Sequence, residues 1–345
     1  MSNATVEVPT VPSKEEQGAA ISRLMQMSTG YMLSSALYVA AKLDIADLLW
    51  DGPQPVAELA RLTGTQEEPL YRVLRALASV GIFSETEPKC FALTPGAYPL
   101  GRRAEQPVRD LVHWMADPFH YPIWAEIITT VQTGKPAIEI VHGKATFETM
   151  FNNPAVGRSF NDGMTNISAW TAPAILEAYD FSGIRKLVDV GGGHGHLLRS
   201  ILKRYPGIEG TLYDLETVVK DAPQDNGVNV VAGNMFESVP AGADAYMMKH
   251  IIHDWDDTAA RQILMNCRKA LEGVPGGKVL LFEGVIHEGN EPDPAKFLDL
   301  EMLTMCTGKE RTEEQYRELL ASAGLKLNRV VGTTQMVDVI EAVLA

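Results

Sequence analysis

The chain has 345 residues, 44 of them acidic and 30 basic, and its formal net charge is −14. This length suggests about two domains, and a composition with 46% hydrophobic and 21% charged residues is ordinary for globular proteins. These values argue against a disordered, collagen-like or coiled-coil chain. The acidic balance also argues against duplex nucleic acid and anionic membranes as partners, because both favour a basic surface.

The cysteines and the amino terminus indicate where such a protein resides. The three cysteines are far apart and form no CxxC pair, so neither a disulfide framework nor a zinc ribbon is expected. Acidic residues stand near the start, where a signal peptide needs basic ones, and no run of about 18 apolar residues occurs. We therefore expect a cytoplasmic protein in a reducing compartment, with no membrane partner.

The first 105 residues are predicted to form a helical domain. Apolar residues recur at three- and four-residue spacings from Gln17 to Leu49, and two shorter helices follow over 55–64 and 70–80. A hairpin is predicted over 82–94, and this order of elements is that of a winged helix. A winged helix suggests a DNA-binding regulator. Residues 1–105 contain nine basic and twelve acidic residues, and this balance favours a domain that dimerises or covers a pocket.

The pattern changes twice after this domain. Residues 106–180 continue with helical spacings and many aromatic residues, and are interpreted as a linker that contributes to a substrate pocket. From about residue 181, short apolar runs alternate with helices, which is typical of a parallel sheet with helices on both faces. The last 20 residues predict an antiparallel hairpin at the edge, with strands over 327–331 and 336–340, so the fold class is α/β and Rossmann-like.

A glycine-rich turn follows the first predicted strand of this region. Asp189 precedes Gly191, Gly193 and Gly195, and Asp214 ends the next strand, where it can accept hydrogen bonds from ribose hydroxyls. A carboxylate two residues before the first glycine would repel a pyrophosphate but attract an amine or a sulfonium. The favoured cofactor is S-adenosylmethionine, with NAD and a purely structural loop as the alternatives.

Two histidines, His250 and His253, follow the fourth predicted strand, where α/β proteins place their ligands. They could bind a metal, but no third ligand lies at a helpful spacing, so no metal is predicted. The alternative is a general base, because neutral histidine accepts a proton near neutral pH and a nearby sulfonium would lower its pKa. His253 is the favoured base, and His250 remains a rival.

Five motifs follow one another along the chain: 188–195 around the glycines, Tyr213-Asp214-Leu215, Gly233-Asn234-Met235-Phe236, His253-Asp254-Trp255-Asp256-Asp257 and Gly308-Lys309-Glu310-Arg311-Thr312. In this order they resemble the motifs of the small-molecule O-methyltransferases, which include caffeic acid, flavonoid, hydroxyindole, phenazine and polyketide enzymes. The resemblance covers the chain from about residue 18 to its end.

The resemblance implies a role for individual residues. His253 corresponds to the catalytic base, and Glu283 and Glu310 correspond to the glutamates that hold it. The remaining cofactor positions are Leu215, Asn234, Met235, Phe236 and Lys249, and the substrate positions are Asp254, Phe160, Met164 and Met305. Asn234 replaces a common aspartate, and its oxygen can still accept from an adenine amino group, so weaker binding is expected there. His250 replaces a common tryptophan.

The expected reaction is transfer of a methyl group from S-adenosylmethionine to a hydroxyl of an aromatic small molecule, with His253 taking the proton. The expected assembly is a homodimer that binds no nucleic acid. An enzyme of the same fold that methylates nitrogen or carbon is an alternative, and so is a cofactor-sensing DNA-binding regulator.

Overall fold

The computed structural model describes residues 11–223 and 227–345, which divide into two compact units, with the boundary between Gly101 and Arg102. Each unit has its own core, and the two are described separately. The finer division of the chain at residues 105 and 180 stays a prediction.

The first unit contains five helices and a small sheet. The helices are α1 (Lys14–Ser28), α2 (Gly30–Lys42), α3 (Ile45–Leu48), α4 (Val56–Thr63) and α5 (Glu67–Ala78). The expected break between α1 and α2 lies at Thr29, and Gly64 ends α4 in the left-handed conformation that glycine adopts easily. The predicted hairpin is formed by β2 (Ser84–Glu87) and β3 (Cys90–Ala92), and a short strand that was not predicted, β1 (Gln54–Pro55), joins β3 to make an antiparallel three-stranded sheet.

Helices α1 and α2 expose a broad apolar surface. No residue of α1 is buried, even though the helix contains apolar side chains. Leu24 and Met25 are more than half exposed, and Met32 of α2 is exposed to a similar extent. Burying such side chains is favourable by about 1.5–3 kcal/mol each, so an exposed apolar helical face of this size is typical of a protein-protein interface.

The second unit begins with six helices before its sheet. They are α6 (Arg109–Met115), α7 (Tyr121–Ala125), α8 (Ile127–Thr133), α9 (Ala137–His142), α10 (Thr146–Asn152) and α11 (Pro154–Ala178). A separate apolar cluster around Trp114, Ile138 and Met150 holds them together. Within the described residues, no helix combines the length and the apolar character needed to cross a bilayer.

A seven-stranded sheet forms the centre of this unit, with the order β6-β5-β4-β7-β8-β10-β9. Its strands are β4 (Lys186–Val190), β5 (Glu209–Asp214), β6 (Val228–Ala232), β7 (Ala245–Lys249), β8 (Lys278–Glu283), β9 (Leu325–Val331) and β10 (Asp338–Leu344). The first five are parallel, and β10 is antiparallel to both of its neighbours. The sheet is therefore Rossmann-like with a terminal hairpin, as predicted.

Single helices follow β4, β5 and β7, and two helices follow β8: α12 (His196–Arg204), α13 (Glu216–Val219), α14 (Asp257–Ala270), α15 (Pro294–Met305) and α16 (Glu313–Ser322). Strand order reverses between β4 and β7, since the chain proceeds outward from β4 to β6 on one side and from β7 to β8 on the other. A parallel sheet binds its ligands at the carboxyl ends of the strands where the order reverses. The site is expected at that edge.

The sequence placed the last strand too early in the chain. We expected a strand over 336–340, but β10 starts at Asp338 and continues to Leu344. Its residues pair with β8 from Asp338 opposite Glu283 to Val343 opposite Lys278, and with β9 on the other side. Pairing on both sides extends the strand beyond the apolar run that the sequence shows.

Candidate active site

A cavity of about 440 Å³ opens at the carboxyl ends of β4, β5 and β7. Its volume is within the range usual for small-molecule sites. Most of the residues that the sequence singled out line it, namely Phe160, Met164, Asp189, Gly191, Gly193, Asp214, Leu215, Asn234, Met235, Phe236, Lys249 and Asp254. Gly195, Met305, His253, Glu283 and Glu310 do not line it.

The glycine turn after β4 forms one side of the cavity. Gly191 and Gly193 have φ values of 70° and 59°, which side chains other than glycine rarely adopt. A Cβ atom at Gly191 would also lie 2.6 Å from Cδ1 of Ile251, whereas one at Gly193 would meet nothing within 4 Å. Gly195, with φ 71°, is the N-cap of α12. Gly191 therefore allows Ile251 to pack closely, Gly193 keeps its backbone open to a ligand, and Gly195 shapes the start of the helix.

Two carboxylates lie beside this turn: Asp189 is buried and Asp214 is half-buried. Asp214 accepts hydrogen bonds from the amides of Gly193 and Leu215 at 2.8 and 2.7 Å, which fixes its position beside the loop. Burial raises the pKa of Asp214, although these hydrogen bonds lower it. Burial, together with the charge of Asp214, also raises the pKa of Asp189 to about 7, while Lys249 and Arg199 oppose that increase. A ligand with positive charge would stabilise both carboxylates in their ionised form.

The side of the cavity after β6 is flat and apolar. Met235 and Phe236 line it, and the ring of Phe236 packs edge-on against Trp255 with centroids 4.7 Å apart. Oδ1 of Asn234 accepts from the amide of Phe236 at 3.0 Å, and Nδ2 donates to Glu237. The oxygen keeps a second lone pair, so its expected contact with an adenine amino group stays a prediction. An aromatic and thioether wall suits a planar base.

His253 lies behind the cavity wall in a short turn after β7, and its side chain is 5% exposed. Its Nδ1 is 2.5 Å from Oε1 of Glu310 and 3.5 Å from Oε2 of Glu283. The other oxygen of Glu283 accepts from the amides of Ile251 and Ile252. Glu310 therefore orients the imidazole ring, while Glu283 holds the turn that carries it.

The charges around His253 act against one expectation from the sequence. We expected a lowered pKa, which would keep the ring neutral. Burial does lower the pKa of His253, but the charges of Glu310, Glu283 and Asp254 outweigh burial and raise it to about 10. The sequence argument considered only the charge of the cofactor and omitted these carboxylates.

His253, Glu283 and Glu310 also have the composition of a metal site, since one donor atom from each lies within 4.8 Å of the others. The distance of 2.5 Å between Nδ1 and Glu310 Oε1 is that of a charge-assisted hydrogen bond. Two ligands of one metal ion, each about 2.1 Å from it, lie roughly 3 Å or more apart. The geometry favours the hydrogen bond.

Two residues of the 308–312 motif support His253 in a way that the sequence analysis missed. Arg311 is completely buried and donates to the carbonyl oxygens of Ile252 and Trp255 at 3.1 and 3.0 Å. A Cβ atom at Gly308 would lie 1.9 Å from the carbonyl oxygen of His253 and 2.4 Å from the amide nitrogen of Trp255. The motif therefore supports the backbone of the turn that carries His253 in addition to supplying Glu310.

Gly308→Ala is expected to displace this turn. The added methyl group meets backbone atoms that cannot rotate away, so we expect a loss of about 1–3 kcal/mol of unfolding free energy and a fall in kcat of about 10²-fold. Gly183→Ala is the matched control, because a Cβ atom there meets nothing within 4 Å. Thermal unfolding and turnover rates test this, and equal behaviour of the two variants would contradict it.

The residues predicted for the substrate lie in two places. Phe160 and Met164 of α11 and Asp254 line the cavity, whereas Met305 is buried in the apolar cluster around Trp114. The sequence analysis missed Phe147, which also lines the cavity and whose ring stacks on Trp255 with centroids 5.2 Å apart. An aromatic ligand would meet flat surfaces here.

Comparison with known proteins identifies the family. Residues 124–326 match the model of the O-methyltransferase domain, and residues 25–103 match that of the O-methyltransferase dimerisation domain. The chain belongs to this family. The family that the sequence motifs suggested is therefore confirmed, and S-adenosylmethionine is confirmed as the methyl donor of the family.

Relatives of this O-methyltransferase-family chain include enzymes that methylate oxygen and nitrogen. It is 39% identical over 326 residues to the phenazine O-methyltransferase PhzM of Lysobacter antibioticus, with 92% of this chain and 95% of the relative covered. It is 30% identical over 325 residues to the 8-amino-8-demethylriboflavin N,N-dimethyltransferase of Streptomyces davaonensis, with 92% and 93% covered. Family membership therefore establishes a methyltransferase but does not fix the atom that is methylated.

Solved structures agree with this assignment over the whole chain. The crystal structure of LaPhzM has a TM-score of 0.90 at 38% identity and covers 94% of this chain and 99% of that one. A methyltransferase of calicheamicin biosynthesis, in its SAH-bound form, has a TM-score of 0.82 at 32% identity and covers 97% and 100%.

Proposed function

We propose that the protein transfers a methyl group from S-adenosylmethionine to a hydroxyl group of an aromatic small molecule, with His253 as the general base. The observation that carries this proposal is the 2.5 Å hydrogen bond between Nδ1 of His253 and Glu310. An imidazole that donates from Nδ1 to a carboxylate presents Nε2 as its proton acceptor.

The cavity suits the cofactor in its charge and its shape. S-adenosylmethionine, when bound, supplies an activated methyl group on a positively charged sulfur. Asp189 and the open backbone at Gly193 would hold its charged end, Asp214 its ribose, and Met235 and Phe236 its adenine. Lys249 lies between Asp189 and Glu283, both of which favour its charged form, although burial lowers its pKa to about 8.

The residues of the turn perform the proton transfer. Nε2 of His253 removes the proton from the acceptor hydroxyl, and the resulting imidazolium is stabilised by Glu310 and Glu283 on its far side. Because both carboxylates are buried, their attraction for the new positive charge is stronger than it would be in water. Phe147 and Trp255 offer flat faces against which an aromatic acceptor can lie.

Transfer to nitrogen is the main competing activity, because one relative at 30% identity is an N,N-dimethyltransferase. A neutral amine or ring nitrogen attacks through its own lone pair and needs no base beforehand. A hydroxyl is a poor nucleophile until its proton is removed. The buried histidine and its two glutamates therefore favour oxygen.

The same proposal includes a homodimer. It is supported by the match of residues 25–103 to a dimerisation domain and by the exposed apolar side chains of α1 and α2.

A panel of paired acceptors tests the proposed function. Each pair consists of an aromatic hydroxyl compound and the corresponding amine, incubated with the protein and S-adenosylmethionine. We expect methyl ethers from the hydroxyl members, identified by mass and by the chemical shift of the new methyl group. Methylation of the amines alone, at a rate independent of His253, would contradict the proposal.

A further inference from the structure

His250 occupies an unusual backbone position beside the proposed base. It is the first residue after β7, and its φ of 54° lies in the left-handed region, which only four non-glycine residues of the described chain adopt. Such a conformation is unfavourable for an ordinary side chain and is often found at functional sites. The conformation turns the chain so that the rings of His250 and His253 stack, with centroids 5.1 Å apart and planes 11° from parallel.

The contacts of His250 define which of its nitrogens carries the proton. Nζ of Lys249 lies 3.2 Å from Nδ1 of His250. A lysine ammonium can only donate, so Nδ1 is the acceptor and the hydrogen of the neutral ring is on Nε2. His250 is therefore an N–H donor at Nε2.

The environments of the two stacked rings are opposite. His253 is hydrogen-bonded to a carboxylate, whereas no carboxylate of the described residues hydrogen-bonds to His250. Burial and the neighbouring charges of Lys249 and His253 hold the pKa of His250 well below its usual value. His250 thus stays neutral and is a poor general base, which leaves that role to His253.

Nε2 of His250 has no hydrogen-bond partner and exposes less than 1 Å² to solvent, while the residue itself forms part of the cavity wall. A buried donor without a hydrogen-bond partner in the protein is unfavourable and uncommon in native proteins. Its position in the wall indicates that a ligand supplies the missing acceptor.

We propose that Nε2–H of His250 donates a hydrogen bond to a second polar atom of the acceptor molecule, next to the hydroxyl on which His253 acts. This inference rests on the proposed function and narrows its substrate class. Because the centroids of the two stacked rings are 5.1 Å apart, an acceptor that reaches the ring of His253 also comes close to the ring of His250. The substrate is therefore a hydroxyarene with a carbonyl, carboxylate or ring nitrogen beside the hydroxyl that is methylated.

Positional isomers separate this role from a structural one. The acceptors are 1-hydroxy-2-naphthoate, with its carboxylate beside the hydroxyl, and 4-hydroxy-1-naphthoate, with the same groups across the ring. We expect the wild-type protein to prefer the first isomer by about 10-fold or more in kcat/KM. In His250→Phe, which keeps an aromatic ring but lacks the donor, this ratio should fall to near 1, mainly through the first isomer. His287→Phe, at a histidine whose side chain is 77% exposed, is the control and should retain the preference.

The possible results are distinct. A His250→Phe variant that slows both isomers equally would show a purely structural role and overturn the inference. Equal use of the isomers by the wild-type protein would overturn it as well, while leaving O-methylation intact. Methylation of neither hydroxyl, with S-adenosylmethionine bound normally in calorimetry, would overturn the inference together with the proposed function.

Discussion

Replacing His253 with alanine is expected to lower kcat by about 10²- to 10⁴-fold, the usual contribution of a general base. Cofactor affinity should remain close to that of the wild-type protein, because His253 does not line the cavity in which the cofactor residues lie. Single-turnover rates at saturating S-adenosylmethionine measure the first effect, and calorimetric titration with S-adenosylhomocysteine measures the second.

The interpretation depends on comparing the change in kcat with the change in cofactor affinity. His287→Ala removes an exposed histidine and controls for general effects of the substitution. A His253→Ala variant that methylates its acceptor at nearly the wild-type rate would show that no base is needed and would favour a nitrogen acceptor. A variant that fails to bind the cofactor would show that the turn supports the cavity as well as the reaction.

The sheet and the glycine turn could be predicted because their signals are local. The apolar run over 187–190 forms β4, and the glycines that follow adopt the backbone angles that their sequence permits. The parallel strands β4 and β5 bring Asp189 and Asp214, both predicted to bind the cofactor, to the same edge of the sheet. Residues that belong to a strand end are therefore accessible to sequence reasoning even without a structure.

The contacts that hold His253 in place were harder to predict because they join distant parts of the chain. Arg311 reaches Ile252, 59 residues earlier, and Gly308 packs against the backbone of His253. Nothing in the local pattern distinguishes such a buried arginine from a surface one. The raised pKa of His253 has the same origin, since it depends on how many carboxylates the fold collects around one ring.

The carboxylates of the site would respond in the same way to a positively charged ligand. Each of three carboxylates has another acidic side chain close by: Asp189 has Asp214, while Glu283 and Asp254 have Glu310, and burial raises the pKa of all three. Lys249 and His253 neutralise part of this charge. A positively charged cofactor would favour the ionised carboxylates and would lower the pKa of His253. On the proposed mechanism, His253 would therefore accept a proton most readily when the methyl donor is present, and proton transfer would be coupled to a filled site.

Glu310→Gln is expected to lower kcat by about 10²-fold or more and to move the acid limb of its pH profile to lower pH. The rate falls because the amide no longer stabilises the imidazolium and can donate to Nδ1, which places the ring proton on the wrong nitrogen. The limb moves because His253 must be neutral to accept a proton. Since the charge of Glu310 raises the pKa of His253, its removal lowers that pKa and leaves the ring neutral at lower pH.

Glu283→Gln is the matched comparison, because Glu283 is also buried but lies 3.5 Å rather than 2.5 Å from Nδ1. The charge of Glu283 has a smaller effect than that of Glu310 on the pKa of His253. The acid limb of the pH profile should therefore move less in Glu283→Gln than in Glu310→Gln. Measuring kcat from pH 5 to pH 10 for both variants and the wild-type protein tests which variant shows the larger shift of the acid limb. An acid limb that stays in place in Glu310→Gln, or moves to higher pH, would show that the titrating group is not His253.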